Sequence, residues 1–286
     1  MSDPTTTETI IVIGASSFIA QGFIEQACHQ HAKQLQPNSP VAEPLQIITV
    51  SRQASIKLPV LMGRELTDSE LAGRINHQHF SCDYQQASIE QCVSDIAKIA
   101  GTVTRIVMCN GILHSKNQHI STNEPGLMPE KRIEDIDAHS LEQLFYANSI
   151  VPMLWLSALT PLLSQPRHKV SAEQKCVISI LSARVGSISD NRLGGWYGYR
   201  ASKAALNMLI KTTAVEYARR LKRVKLIAFH PGTTDTPLSK PFQANVTQGK
   251  LFTPAFVASQ LQQIMDNSEP NGEASYLDWQ GEPINW

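Results

Sequence analysis

Apolar residues follow two alternating rhythms along this chain. Short, mostly apolar runs at residues 9–13, 45–50, 105–109, 176–181 and 224–229, with a more mixed one at 78–82, read as strands buried on both faces. Between them apolar side chains recur every three or four positions, as helices require: Ile19, Phe23 and Ala27; residues 87–99; Leu141, Leu144 and Phe145 onward past Trp155; and residues 199–220. Serial strand-helix order predicts an α/β fold, a single doubly wound and mostly parallel sheet of about seven strands with helices on both faces. No repeat or linker divides the pattern. One domain is therefore expected over residues 9–286, after an N-terminal tail at 1–8. Three polar stretches interrupt it: an insertion at 30–44, a loop at 113–136 and a proline-punctuated segment at 233–253.

Composition narrows the function classes. With 286 residues, 42% apolar and 17% charged, the chain can bury a full core and is too apolar for disorder. The formal net charge is +0, and the one basic cluster, at 219–225, suits a helix C-terminus better than a duplex, so no nucleic-acid partner is expected. The N-terminus lacks the basic and apolar regions of an export signal, and no run approaches the roughly 18 apolar residues of a membrane span. A cytoplasmic protein without a membrane partner is the expectation. Cys28, Cys82, Cys92, Cys109 and Cys176 have neither disulfide-framework nor zinc spacing, and no metal is expected.

In doubly wound sheets of the Rossmann type, ligands lie outside the carboxyl ends of the strands. Gly14, Ser51, Arg52, Asp83, Asn110, Gly111, Ser182, Pro231 and Gly232 all fall there. The turn after the first strand, Gly14-Ala15-Ser16-Ser17-Phe18-Ile19-Ala20, is a candidate pyrophosphate site at a helix N-terminus. Gly14 makes the tight turn, Ser16 and Ser17 supply donors, and Ile19 continues into the helix behind small Ala20. Phe18 either points away or closes the site. A plain helix cap over an apolar core is the alternative. Strand two ends in Ser51-Arg52 with no acid to take ribose hydroxyls, which favours NADP(H) over NAD(H). Asp83 can accept from an adenine amino group or cap a helix.

Tyr199 and Lys203 stand four apart, so one helix face would present both a phenol and an ammonium able to make that phenol more acidic. On spacing alone, an ordinary helix aromatic beside a solvated amine is the simpler reading. The surrounding residues, Ser182-Ala183-Arg184-Val185-Gly186-Ser187-Ile188 and then Gly194 through Asn207, change that. With Asn148 and Pro231-Gly232 they resemble the short-chain dehydrogenase/reductase family, most closely its Sniffer-like and C-factor-like carbonyl reductases, over nearly the whole chain.

The resemblance implies an NADPH-dependent reduction of a small or medium aldehyde or ketone. Tyr199 would be the acid/base, Lys203 would hold the nicotinamide ribose, and Asn148 would keep a proton-passing water. A serine would bind the substrate oxygen, but the family's serine position is Ala183 here, and Ser182 is the nearest substitute, reaching in if the strand end bulges by one residue. Ser187 is the weaker one. Thr236, with Thr234 beside it, would border the nicotinamide, and residues 233–253 would form a lid. Leu113, Leu127, Met128, Trp196 and Phe242 are candidate pocket walls. A homodimer or homotetramer is implied as well. Two other readings stay open: an NAD-dependent alcohol dehydrogenase, and a signalling protein that binds the dinucleotide but barely turns over.

Overall fold

The computed structural model describes residues 7–34, 44–57, 75–115, 126–164 and 174–286. Its centre is a seven-stranded sheet built from β1 (Glu8–Ile13), β2 (Leu45–Ser51), β3 (Ile75–Ser81), β4 (Thr102–Met108), β5 (Cys176–Leu181), β6 (Val224–His230) and a last strand, Ser275–Asp278. The spatial order is β3-β2-β1-β4-β5-β6 followed by that last strand, and every neighbouring pair is parallel. The chain winds outward from β1 through β3, then returns to lay β4 on the other side of β1. That reversal opens a crevice above the ends of β1 and β4.

Successive side chains of a strand point to opposite faces, so runs with apolar residues at both odd and even positions need helices on both. On one face Ile10, Val12, Ile47, Val107 and Phe229 pack under Phe23 and Ile24 of α1 (Phe18–Gln34). On the other, Ile11, Ile48, Ile106 and Ile178 meet three helices. These are α2 (Gln86–Ile99), through Ile89 and Ile96, α4 (Val151–Ser164), through Trp155 and Leu159, and α5 (Tyr197–Arg220), through Leu206 and Ile210. The fold class is the one the pattern predicts.

Several boundaries differ, each for a physical reason. β3 begins three residues before the predicted run because it is an edge strand, with few apolar residues and a half-exposed face. α1 continues to Gln34, into the predicted insertion, whose residues 35–43 lie outside the described ones, as do 1–6 of the tail and 116–125 of the 113–136 loop. The helical stretch before β5 is α3 (Ala138–Phe145), capped by Asp137, then a π-turn at Tyr146–Ile150, then α4. By length and apolarity Ala138–Ser164 would pass for a membrane span, but Trp155, Leu156 and Leu159 of it are buried against the sheet.

The segment at 233–253 has its own structure. β7 (Thr233–Thr234) pairs in parallel with β8 (Leu251–Phe252), and a 3-10 turn spans Lys240–Asn245 between them. Thr253 then caps α6 (Pro254–Asn267), which packs on α1, and the sheet closes with β9 (Ser275–Asp278).

Candidate active site

Two adjoining cavities occupy the carboxyl edge of the sheet. The first, about 370 Å³, is lined by Gly14, Ser16, Ser17, Arg52, Asp83, Asn110 and Gly111 among others. Gly14 turns at φ +75°, and a Cβ there would lie 2.7 Å from the Asn110 nitrogen. The backbone itself forms the floor. Both Gly14 N–H and Ala15 N–H donate to Val50 O, at 2.9 and 3.0 Å, and Ser17 Oγ caps α1 by accepting from Ala20 N–H at 3.2 Å. Gly14→Ala is expected to destabilise the fold by at least about 2 kcal/mol, a thermal-midpoint drop of roughly 4–8 °C by calorimetry, because strain and backbone collision act together.

Phe18 is 52% exposed and lines neither cavity, so the outward of its two predicted placements is the one seen. Ile19 lines the second cavity instead. Ser51 is fully buried and off the cleft wall, its hydroxyl accepting from Gln53 N–H at 3.1 Å. Asp83 lines the cleft while also accepting from Gln85 N–H at 2.9 Å, so it has the turn-capping role with a cleft-facing position. Tyr84, which sequence reasoning missed, lines the same wall at φ +68°, a left-handed conformation costing roughly 1–2 kcal/mol for such a residue. Its carbonyl accepts from Tyr146 OH at 3.1 Å, and its ring packs edge-on to Trp155.

Of the predicted catalytic residues, Tyr199 and Ser182 line the second cavity, while Asn148 and Lys203 lie buried behind Gly111 of the first. At Gly111 a Cβ would lie 3.1 Å from Asn148 Oδ1 and 3.5 Å from Lys203 Nζ, so the backbone there runs close over these groups. Asn148 sits in the π-turn with no exposed surface. It accepts from Ile112 N–H at 2.8 Å, donates to Ile112 O at 2.9 Å and donates to Ser202 Oγ at 3.1 Å. Ser202 in turn donates to Tyr199 O at 2.9 Å, which ties Asn148 to the first turn of α5.

Tyr199 and Lys203 are both buried, with Lys203 Nζ 5.9 Å from the Tyr199 ring centre and donating to Leu181 O at 2.9 Å. Burial brings Lys203 down to about 8. It pushes the Tyr199 phenol above its ordinary pKa, with Tyr276 adding to the shift. Desolvation therefore outweighs the acidifying effect expected of the lysine. The phenol rests protonated, ready to donate.

The second cavity, about 230 Å³, is lined by Leu113, Ser182, Ala183, Trp196, Tyr199 and Phe242, and by Pro231, Gly232, Thr234 and Thr236 of the following segment. Gly232, at φ +69°, packs against the Phe252 ring. Leu127 is buried beside Tyr199, whereas Met128 is 56% exposed and absent from this wall. The Trp196 and Phe242 rings pack at a tilt of 59° with centres 4.9 Å apart, and His114 Nε2 donates to Leu238 O at 3.1 Å. The predicted lid is thus pinned to the 113–136 loop and to the start of α5. His230 also lines the cavity, and burial lowers it to about 4, so it stays neutral.

Ser182 lies on this wall, but its hydroxyl donates to Asn207 Oδ1 at 2.6 Å, and the β5–β6 register runs to Leu181 without a shift. The bulge that would re-aim Ser182 is not seen. Ala183 packs its methyl into the cluster around Tyr199, and its carbonyl accepts from Tyr276 OH at 2.6 Å. Ser187 faces a different hollow, accepting from Asp190 N–H at 3.2 Å.

One further support was invisible to motif reading. Glu130, 4% exposed, accepts from Gly198 N–H with both carboxylate oxygens at 3.2 Å, and its carbonyl accepts from Trp196 N–H at 2.6 Å. The helix N-terminus, which has no side-chain cap of its own, is the counter-charge for this buried acid. One acid among several in a charged stretch carries no signal of that contact.

Comparison with known proteins agrees with this geometry. The chain is 28% identical over 163 residues to 1-hydroxy-2-glutathionyl-2-methyl-3-butene dehydrogenase of Rhodococcus sp., covering 56% of this chain and 65%, just under two thirds, of that one. Its fold is similar to the carbonyl reductase Sniffer of D. melanogaster, with a TM-score of 0.67, 18% identity and coverage of 98% and 100% of the two chains. It is equally similar to the NADPH-bound carbonyl reductase from chicken fatty liver, with a TM-score of 0.69, 20% identity and coverage of 98% and 99%. The profile of the short chain dehydrogenases matches residues 63–247, more than half the chain and the stretch holding Asn148, Tyr199 and Lys203, and the chain belongs to that family.

Proposed function

We propose that the protein is an NADPH-dependent carbonyl reductase acting on aldehydes or ketones of small to medium size. The observation that carries this reading is the protonated Tyr199 phenol on the wall of an apolar cavity that begins at Leu113, next to a cleft lined by Ile112, Gly111 and Arg52. The cleft residues fit a dinucleotide. Gly14 leaves bare backbone where a Cβ would collide, and Asn110 Oδ1 is a buried acceptor without a partner among the described residues. Ser16, Ser17 and the start of α1 would hold the pyrophosphate, Arg52 a 2′-phosphate, Asp83 and Tyr84 the adenine side, and Lys203 the nicotinamide ribose.

Bound there, the nicotinamide supplies a hydride. Everything else falls to the chain. Tyr199 donates its proton to the carbonyl oxygen as charge grows on it, and Lys203, still an ammonium below about pH 8, stabilises the phenolate left behind. Asn148 holds the Ile112 peptide and Ser202 so that both groups keep their positions. Leu113, Trp196 and Phe242 exclude water and favour an apolar, planar carbonyl compound.

NADPH oxidation against a panel of aldehydes and ketones tests the activity, and turnover of at least one is the expected result. Absence of turnover on all would favour the second reading, a dinucleotide-binding protein of weak activity. That reading has its own observation: no free hydroxyl stands at Ala183, and Ser182 is engaged by Asn207. An NAD-dependent alcohol dehydrogenase is separated by affinity. NADPH is expected to bind more tightly than NADH, and Arg52→Ala is expected to remove roughly 1.5–3 kcal/mol of that preference, read by calorimetric titration.

A homodimer or homotetramer fits the apolar side chains left exposed on α5, Met208 and Val215 among them, and sedimentation measures it. The five cysteines are free and buried, which suits a reducing compartment such as the cytoplasm.

A further inference from the structure

A polar cluster on the edge of the sheet takes part in none of these steps. His77 and His79 of β3 face Thr49 of β2, which pairs with His79 in register. Thr49 Oγ1 lies 2.8 Å from His77 Nε2 and 2.9 Å from His79 Nδ1, and His79 Nε2 lies 2.9 Å from Gln53 O. The proton positions follow from the far end. A carbonyl oxygen only accepts, so His79 Nε2 carries a hydrogen. In neutral His79, Nδ1 then accepts from the Thr49 hydroxyl, whose oxygen accepts from His77 Nε2–H. Burial holds His77 below its ordinary pKa, in keeping with a neutral donor there. Thr49 is fully buried, so both imidazoles meet a hydroxyl that water does not reach.

The chain of hydrogen bonds ends on the turn that carries Arg52. Gln53 is held twice, its N–H by Ser51 Oγ at 3.1 Å and its carbonyl by His79. Arg52 lies between these anchors, and its side chain lines the cleft beside Gly14, Ser16 and Ser17.

We propose that His79 is a specificity-determining residue, holding the 51–53 turn so that the Arg52 guanidinium meets the 2′-phosphate of NADPH. This rests on the cofactor reading above. NADH differs from NADPH only in lacking that phosphate, so a misplaced Arg52 weakens one cofactor and spares the other.

Equilibrium binding of NADPH and of NADH, followed by quenching of tryptophan fluorescence, tests it on the wild-type protein and on His79→Ala, His79→Gln and Thr49→Val. His79→Ala is expected to weaken NADPH roughly tenfold and NADH by less than about twofold. His79→Gln, whose amide can donate to Gln53 and accept from Thr49, is expected to keep most of the NADPH affinity. Thr49→Val, which frees the Nδ1 side, is expected to lower NADPH affinity alone. Adding Arg52→Ala to His79→Ala is expected to cost little more, since both act through one contact. Equal weakening of both cofactors, or an unchanged NADPH preference in His79→Ala and Thr49→Val, overturns the role of His79 while leaving the cofactor reading intact. A wild-type protein that binds NADPH no more tightly than NADH overturns both.

Discussion

Replacing Tyr199 by Phe is expected to lower kcat for carbonyl reduction on the order of 10²–10⁴-fold, with NADPH affinity changed by less than about threefold. The ring keeps its packing against Trp196 and Leu144, so the substitution removes one hydroxyl from a formed cavity and not the cavity itself. What is lost is the proton donor. Stopped-flow NADPH oxidation and a separate binding titration distinguish the two effects, and full turnover by the variant would refute the assignment of Tyr199 as the acid.

The pH dependence of the wild-type protein follows from the same pair. Below about pH 8 Lys203 is charged and Tyr199 protonated, the combination that reduction needs. As pH rises through about 8, Lys203 loses its proton before the phenol does, and the forming phenolate loses its counter-charge. The rate kcat/KM for reduction is therefore expected to fall above about pH 8, a limb belonging to the free protein's lysine.

The second large effect is a gain. Ala183→Ser is expected to raise kcat by roughly 10- to 100-fold, because one preorganised donor to a developing oxyanion is worth about 3 kcal/mol at most sites where it has been removed. The Ala183 methyl already packs in the cluster around Tyr199, so the added hydroxyl enters the substrate cavity without moving the strand. Ser182→Ala decides the alternative. If Ser182 leaves Asn207 to serve the substrate when the site is loaded, Ser182→Ala loses about as much as Ala183→Ser would otherwise gain, and Ala183→Ser changes little. If Ser182 only holds Asn207, the two variants behave in the opposite way.

Much of the site was legible because parallel sheets place chemistry at strand ends. Gly14, Arg52, Asp83, Asn110 and Gly111 were picked from where apolar runs stop, and the fold brings all five to one cleft wall. Ser51 was picked by the same rule and lies buried, since strand parity turns alternate residues away from the ligand. Phe18 posed a choice that a linear pattern does not resolve, as the direction of one side chain depends on the turn geometry that Gly14 sets.

By itself, the sequence determined the layers and the order of the elements: mostly apolar runs without strict alternation demand two covered faces, and serial strand-helix order demands parallel pairing and a crevice at the reversal. It also determined which residue types gather at this end of the sheet, Tyr199, Lys203 and Asn148 among them. Tertiary structure alone decided their chemical state and their support. Desolvation, which depends on everything packed around a group, leaves Tyr199 protonated and brings Lys203 down to about 8. Contacts between residues far apart in the chain join Glu130 to Gly198, Ser182 to Asn207 and His79 to Gln53. Such contacts leave no periodicity or spacing to read, because hydrogen bonds depend on distance in space and not along the chain.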